Sequence, residues 1–113
     1  MTQLKMDYVE LASRYTGARQ GFPAKAFGWT FVDYGPGYQA FANAGLDGGI
    51  FQAEGEPLAH PLVILKTEDL EAALTAVTSA GAEIVNPIFA FPGGRRFHFR
   101  EPGGNEMAVW SER

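Results

Sequence analysis

"TEDLEAALTAVTSAG", residues 67–81, is the clearest structural element in the sequence, because its apolar residues recur at helical spacing. Thr67 is a candidate N-cap, the acidic residues after it complement the positive end of a helix, and Gly81 can end the helix in a left-handed conformation. One apolar stripe runs along the segment: Leu70, Ala73, Leu74 and Val77. The sequence therefore predicts a helix over 67–81 whose apolar stripe packs on a sheet.

Strand-like segments lie on both sides of this helix. "PLVILK" (61–66) precedes it as a nearly continuous apolar run, which is typical of a strand covered on both faces. After the helix come three short segments separated by turns rich in glycine and proline: "AEIVNPIFAF" (82–91), "RRFHF" (95–99) and "EMAVW" (106–110). The second half of the chain therefore predicts the order strand, helix and three strands.

The first half of the chain also begins with a strand. "MDYVEL" (6–11) alternates, so that Tyr8 and Glu10 share one face. Three further segments with strand composition and glycine turns between them follow later: "WTFVDY" (29–34), "YQAFANA" (38–44) and "LDGGIFQAE" (46–54). These segments predict four strands in the first half.

A helix is expected between the first two of these strands. "ASRYTGARQGFPAKAFG" (12–28) contains helix-favouring residues, and Gly28 can end a helix. Pro23 would remove a helical hydrogen bond and clash with the preceding turn, at a cost of about 3 kcal/mol in a helix interior. We therefore expect a broken helix or a short helix that starts at Pro23.

The two halves of the chain follow one pattern. The helix-ending glycines, Gly28 and Gly81, and the glycines before each last strand, Gly45 and Gly103, are 53 to 58 residues apart. The predicted fold class is α+β, with two βαβββ modules in one chain whose curved mixed sheets enclose a cavity, either within one chain or between two chains. The expected organisation is a single domain over 1–113, with module one at about 5–53, a linker at about 54–58 and module two at about 59–113.

Composition excludes several classes of function. The formal net charge is −4 and there is no lysine- or arginine-rich block, which argues against nucleic-acid binding. No apolar run approaches the roughly 20 residues that span a bilayer, and no apolar segment typical of a signal peptide follows Lys5. The absence of cysteine excludes disulfides and thiolate metal sites. We expect a cytoplasmic protein without a membrane partner.

Three motifs resemble one known family: "AFGW" (26–29), "DLEAALTAV" (69–77) and "EPGGNEMAVW" (101–110). Together with the paired βαβββ modules, they resemble the glyoxalase/bleomycin-resistance/dioxygenase superfamily, also called the vicinal oxygen chelate (VOC) superfamily, over essentially the whole chain. The family includes glyoxalases, extradiol dioxygenases, epimerases, antibiotic-modifying enzymes and metal-free antibiotic-sequestering proteins. The resemblance therefore implies a fold and no single activity.

The resemblance also implies four positions at which metal-dependent members hold one divalent ion, usually with histidine or glutamate. The matching positions are Tyr8, Leu62, Ala108 and, in the fourth strand, Gly49 or Phe51, with Asp47 on the same face. Leucine and alanine cannot ligate an ion, and tyrosine is a rare ligand for zinc or magnesium. We therefore expect no divalent metal and no other cofactor.

A relocated metal site is an alternative, since Glu10, Glu106 and a histidine could form a site of two carboxylates and one imidazole. The simpler expectation is that the two glutamates are polar cavity residues held by hydrogen bonds. They could also act as an acid–base pair.

Alternation in "RRFHF" places Phe97 and Phe99 on one face, where they are expected to pack in the core. His98, Arg96 and Arg100 share the other face and could clamp an anionic ligand. Alternatively, His98 satisfies a backbone carbonyl and the arginines form surface ion pairs. Candidate partners for such pairs are Glu83, Glu101 and Glu106.

These observations favour a metal-independent binding protein for a small molecule that is antibiotic-like, cationic or aromatic, and we expect a homodimer. The predicted ligand-binding residues are Tyr8, Glu10, Leu62, His98, Ala108 and Trp110. The alternative is a lyase- or dioxygenase-like enzyme of the same superfamily, with a relocated metal or with metal-free acid–base catalysis by Glu10, Glu106 and His98. A dimeric interaction module with a filled cavity is a third hypothesis, and catalytic residues stay unassigned.

Overall fold

Eight strands are present in the part of the chain that the computed structural model describes, which comprises residues 4–13, 25–35, 37–52 and 60–113. They are β1 Lys5–Ser13, β2 Thr30–Asp33, β3 Tyr38–Ala42, β4 Gly48–Gln52, β5 Leu62–Lys66, β6 Glu83–Phe91, β7 Gly94–Arg100 and β8 Glu106–Ser111. The chain divides into an N-terminal unit, Tyr8–Leu62, and a C-terminal unit, Met1–Asp7 with Val63–Arg113. The α+β fold class is confirmed.

The N-terminal unit contains a mixed sheet with the strand order β2-β3-β4-β1. β1 runs parallel to β4, with Glu10 opposite Gly49, and β3 is antiparallel to both β2 and β4. In the β3–β4 pairing Ala40 lies opposite Gly49. Since side chains alternate along each strand, Tyr38, Glu10 and Gly49 share one face of this sheet.

In the C-terminal unit the strands follow the order β5-β8-β7-β6, with parallel and antiparallel pairs. β5 runs parallel to β8, and β7 is antiparallel to β8 and to β6. A helix, Leu70–Ser79, connects β5 to β6, which confirms the predicted order of the second module.

The core of the C-terminal unit is the packing of this helix on the sheet. Its buried members are Leu70, Ala73, Phe97, Phe99 and Val109. The partly buried Leu74 and Val77 pack against them, so the predicted apolar stripe is confirmed. Because Phe97 and Phe99 face the helix, the alternate residues of β7 face the other side of the sheet.

The N-cap of the helix lies two residues later than predicted. The carboxylate of Asp69 accepts a hydrogen bond from the backbone N–H of Ala72 (3.0 Å), so Asp69 is the N-cap and the prediction of Thr67 is wrong. The Thr67 hydroxyl accepts from the Asp69 N–H instead (3.2 Å), which organises the turn before the helix. At the other end Gly81 has a φ of 107°, as predicted for the residue that ends the helix.

Two parts of the segment 12–28, where a helix is expected, belong to the described residues. Residues 12–13 are strand, as the end of β1, so the prediction is wrong there. Residues 25–27 are helical and Gly28 follows them with a φ of 75°, as expected of a helix-ending glycine. Pro23 and the predicted linker 54–58 lie outside the described residues. No helix in the described ranges is long and apolar enough to cross a membrane.

Candidate functional site

Three polar side chains form a hydrogen-bonded group in the N-terminal unit, which we call the tyrosine–glutamate cluster: Tyr8, Glu10 and Tyr38. The hydroxyl oxygens of Tyr8 and Tyr38 are 2.6 Å apart, and the Tyr38 hydroxyl donates to the Glu10 carboxylate at 3.2 Å. Glu10 is 6% exposed and the two tyrosines are partly buried. Tyr8 and Glu10 were predicted as site residues, whereas Tyr38 was not.

A glycine makes room for this cluster. A Cβ atom on Gly49 would lie closer than 3.0 Å to three atoms of the Tyr38 phenol, the hydroxyl oxygen among them. Protein Cβ atoms essentially never approach other atoms so closely, so any larger residue at position 49 would displace the phenol or the strand. The Tyr38 hydroxyl thus occupies the space that a side chain at position 49 would occupy.

Burial raises the pKa values of both phenols above the ordinary tyrosine value, so both stay protonated well above neutral pH. Burial raises the pKa of Tyr38, and the hydrogen bond with Tyr8 and the negative charge of Glu10 raise it further. Burial also raises the pKa of Tyr8; the hydrogen bond with Tyr38 opposes this, while the charges of Glu10 and Asp47 add to it. Both hydroxyl protons are therefore available for hydrogen bonds.

The C-terminal unit contains a buried pair, His98 and Glu106. The Nδ1 atom of His98 lies 3.0 Å from a carboxylate oxygen of Glu106, and their side chains are 8% and 14% exposed. An ionised carboxylate only accepts hydrogen bonds, so Nδ1 carries the proton. This carboxylate contact orients the imidazole. The Phe89 ring lies beside the imidazole, with ring centroids 5.7 Å apart.

Trp110 lies between a cation and a carboxylate. The Nζ atom of Lys66 is 4.9 Å from the centroid of the indole ring, and the indole N–H donates to the Asp7 carboxylate (3.2 Å). The Phe91 ring lies 6.1 Å from the indole. One face of the ring therefore already holds a positive charge, as expected of a cation–π contact.

The three arginines of β7 have different partners. Arg95 forms two hydrogen bonds with the Glu71 carboxylate (2.7 and 3.2 Å), and Arg100 pairs with Glu83 (3.0 Å). Arg96 instead places its guanidinium 5.5 Å from the centroid of the Phe91 ring, and it lies similarly over Phe89. Glu83 was a predicted partner and Glu71 was not. Arg95 and Arg100 thus form exposed ion pairs, which contribute little to stability.

Of the remaining predicted site residues, Ala108 is fully buried and Leu62 is 1% exposed. Ala108 lies opposite His98 in the β7–β8 pairing and opposite Ile64 in the β5–β8 pairing, so it shares the face of His98, as predicted. Leu62 precedes Ile64 by two residues and faces the same side of β5.

A hollow of about 170 Å³ opens elsewhere in the C-terminal unit. It is lined by Lys66, Thr67, Glu68, Ser111, Glu112 and Arg113. Its volume is below the roughly 300–1,000 Å³ of typical ligand sites. Since its lining contains none of the predicted site residues, we do not assign it as the ligand site.

The sequence model of the Glyoxalase/Bleomycin resistance protein/Dioxygenase superfamily matches residues 10–109. The chain belongs to this superfamily. A search of curated proteins finds no match. The match therefore establishes membership and leaves the activity to be argued from the site.

Several solved structures are similar in fold. A superfamily member from Vibrio splendidus 12B01 has a TM-score of 0.74 at 16% identity, over 96% of this chain and 99% of that chain. Methylmalonyl-CoA epimerase from Mycobacterium tuberculosis has a TM-score of 0.70 at 14% identity, over 94% and 86%. The Mn(II)-bound glyoxalase from Novosphingobium aromaticivorans has a TM-score of 0.68 at 21% identity, over 96% of this chain and 38% of that chain. At these identities the similarity shows the fold alone.

The side chains at the superfamily's metal-ligand positions do not fit a metal ion. Leu62 and Ala108 present only carbon atoms. At the fourth position Gly49 has no side chain and its alternative, Phe51, has only carbon atoms, while Asp47 on the same face carries a carboxylate. Tyr8 offers one phenol oxygen, which Tyr38 already contacts. In the described ranges, no group of three His, Asp or Glu side chains is arranged to hold an ion, so the relocated site gains no support there.

Replacing Gly49 with alanine should displace the Tyr38 phenol and break the tyrosine–glutamate cluster. We expect a loss of about 1–3 kcal/mol in the free energy of unfolding, since overpacking forces side chains and backbone to shift. Tyr38→Ala removes the clash, so adding Gly49→Ala to Tyr38→Ala should cost much less than adding it to the wild type. Urea unfolding of the four proteins measures this, and strictly additive effects would contradict the assigned contact.

The raised pKa values of Tyr8 and Tyr38 predict that the folded protein resists ionisation of these phenols above about pH 10, the ordinary tyrosine value. Their contribution to stability is complete below the pKa of the unfolded chain and is lost as pH rises towards the folded values. Ultraviolet titration of tyrosinate should therefore give the same absorbance change near pH 10 in Tyr38→Phe as in the wild type. A smaller change in the variant would show that Tyr38 ionises normally, and titration in guanidinium chloride is the control.

Proposed function

We propose that this superfamily member is a metal-independent binding protein for a cationic or aromatic small molecule. The observation that carries the proposal is the chemistry at the metal-ligand positions, where Leu62 and Ala108 are buried carbon side chains. At Gly49 the space is filled by the Tyr38 hydroxyl. A protein that has this fold but lacks the metal-ligating side chains can still bind a small molecule. It cannot use a bound metal ion as a Lewis acid.

The side chains of the C-terminal unit support a cationic or aromatic ligand. Lys66 lies over Trp110, and Arg96 over Phe89 and Phe91, so these ring faces attract positive charge. The Lys66 side chain is 43% exposed and also pairs with the exposed Glu112 carboxylate, so a ligand cation on the indole would take the place of Lys66 there. Antibiotic-like compounds with an amine and flat rings have this chemistry.

An acid–base enzyme is the second candidate, and the His98–Glu106 pair is the observation that favours it. A carboxylate that accepts from Nδ1 holds the imidazole in the tautomer with Nε2 as its basic nitrogen, as in general-base catalysis. Glu10 belongs to the tyrosine–glutamate cluster, so it is a second candidate acid–base group. The methylmalonyl-CoA epimerases of similar fold show that the fold can carry an enzyme.

Metal independence predicts that Mn²⁺, Zn²⁺, Ni²⁺, Fe²⁺ and Mg²⁺ leave the thermal unfolding temperature unchanged, and that the purified protein holds much less than one equivalent of metal. An ion at one hundred times its dissociation constant would add about 2.7 kcal/mol of stability, which a thermal scan detects easily. Stoichiometric metal, or a clear rise in Tm with one ion, would refute metal independence.

A screen of cationic aromatic compounds followed by indole fluorescence then tests the ligand class, with Trp29→Phe as the matched control for Trp110→Phe. Quenching should persist in Trp29→Phe and disappear in Trp110→Phe.

The enzyme hypothesis is tested by deuterium exchange from D₂O into the acidic carbon of methylmalonyl-CoA. The binding-protein proposal predicts no exchange above the buffer rate. Exchange that is lost in both His98→Asn and Glu106→Gln, while the fold is retained, would establish the enzyme instead.

The expected homodimer and cytoplasmic location remain predictions. Light scattering tests whether the protein is a dimer.

A further inference from the structure

The order of donors in the tyrosine–glutamate cluster can be assigned from its geometry. Tyr38 has one hydroxyl proton and two oxygen partners, the Tyr8 hydroxyl at 2.6 Å and the Glu10 carboxylate at 3.2 Å. The carboxylate can only accept, so the Tyr38 proton points to Glu10. The contact between the phenols then needs a proton from Tyr8. The hydrogen bonds therefore run from Tyr8 to Tyr38 to Glu10.

This order determines what Tyr8 can offer to a ligand. Because its proton is directed at Tyr38, only the lone pairs of its hydroxyl oxygen remain. A chain of hydrogen bonds that ends on a carboxylate is polarised along its length, which makes the first oxygen a stronger acceptor. The exposed carboxylate of Asp47 also acts on Tyr8, and its charge has the same sign as that of Glu10. Tyr8 is itself only partly buried.

We propose that Tyr8 is a hydrogen-bond acceptor for a ligand that carries an N–H cation, a primary ammonium or a guanidinium group. This inference rests on the proposed binding function and specifies it further. A quaternary ammonium has no proton to donate, so the Tyr8 oxygen distinguishes it from a primary ammonium of the same charge. A carboxylate or phosphate would meet lone pairs at Tyr8 and is therefore rejected there.

Gly49 is the residue that makes this recognition possible in the structure. The missing side chain lets the Tyr38 hydroxyl reach between Tyr8 and Glu10, and the carboxylate then directs both phenol protons. Tyr38 acts through Tyr8, so it is a positioning residue for the acceptor.

The test compares three probes that share a phenyl ring: phenethylammonium, phenethyltrimethylammonium and phenylacetate. The first two carry the same charge, and only the first has N–H donors. We expect the wild type to bind phenethylammonium about tenfold more tightly than the quaternary probe, which corresponds to about 1.4 kcal/mol, and to bind phenylacetate least. Ligand-observed NMR titration measures all three affinities.

Variants of three tyrosines test whether Tyr8 is the acceptor that produces this preference. Tyr8→Phe should abolish the preference for phenethylammonium, and Tyr38→Phe should reduce it, because Tyr8 then has its proton free to donate. Tyr34→Phe is the matched control, since Tyr34 lies beside Tyr38 without a hydrogen bond to the cluster, and it should keep the preference. Urea unfolding shows that each variant is folded.

Equal affinities of the wild type for the two cations, or an unchanged preference in Tyr8→Phe, would overturn the acceptor assignment and leave the binding function intact. Preferred binding of phenylacetate would overturn it as well. If none of the three probes binds while other compounds do, the assignment of Tyr8 as the acceptor is wrong and the proposed binding function stands. If nothing binds in any screen, the proposed function fails with it.

Discussion

The contact between the Tyr38 phenol and the bare backbone of Gly49 determines the chemistry of the N-terminal unit. A side chain at position 49 would overlap the Tyr38 phenol. The space beside β4 can therefore hold either a side chain of residue 49 or the Tyr38 phenol, but not both. In this chain it admits Tyr38, whose hydroxyl joins Tyr8 to Glu10. Gly49, one of the two residues that match the superfamily's fourth metal-ligand position, therefore adjoins a hydrogen-bonded cluster. We propose that the partner of this cluster is a hydrogen-bond donor and not an ion.

The C-terminal unit is governed by the packing of one helix on one sheet. The helix buries Phe97 and Phe99, so the alternation of β7 directs His98 to the opposite face. Ala108, which pairs with His98, lies on that same face, and Glu106 approaches the imidazole from there. The position of the histidine–glutamate pair therefore follows from the burial of two phenylalanines.

Local pattern predicted the helix stripe, the order of strands and helix along the second half of the chain, and which residues alternate to the same face of a strand, because each depends on neighbouring residues only. Tyr38 was missed because its partners come from the register of β1, β3 and β4, which long-range pairing decides. The two consecutive glycines of β4 were the available signal, since glycine inside a strand often marks a close approach. The prediction of Thr67 as the N-cap was wrong for another reason. Two residues able to cap stand two positions apart, and local sequence does not decide between them.

The central claim is that the Tyr8–Tyr38 contact replaces a metal ligand set, and a crystal structure grown in excess Mn²⁺ tests it most directly. Anomalous scattering at the manganese edge locates any bound ion. The structure should show the Tyr8 and Tyr38 hydroxyl oxygens in hydrogen-bond contact, Tyr38 against Gly49, and no anomalous peak within ligand distance of Tyr8 or Glu10. An ordered Mn²⁺ ion bound to either side chain, with Tyr38 displaced, would contradict the account.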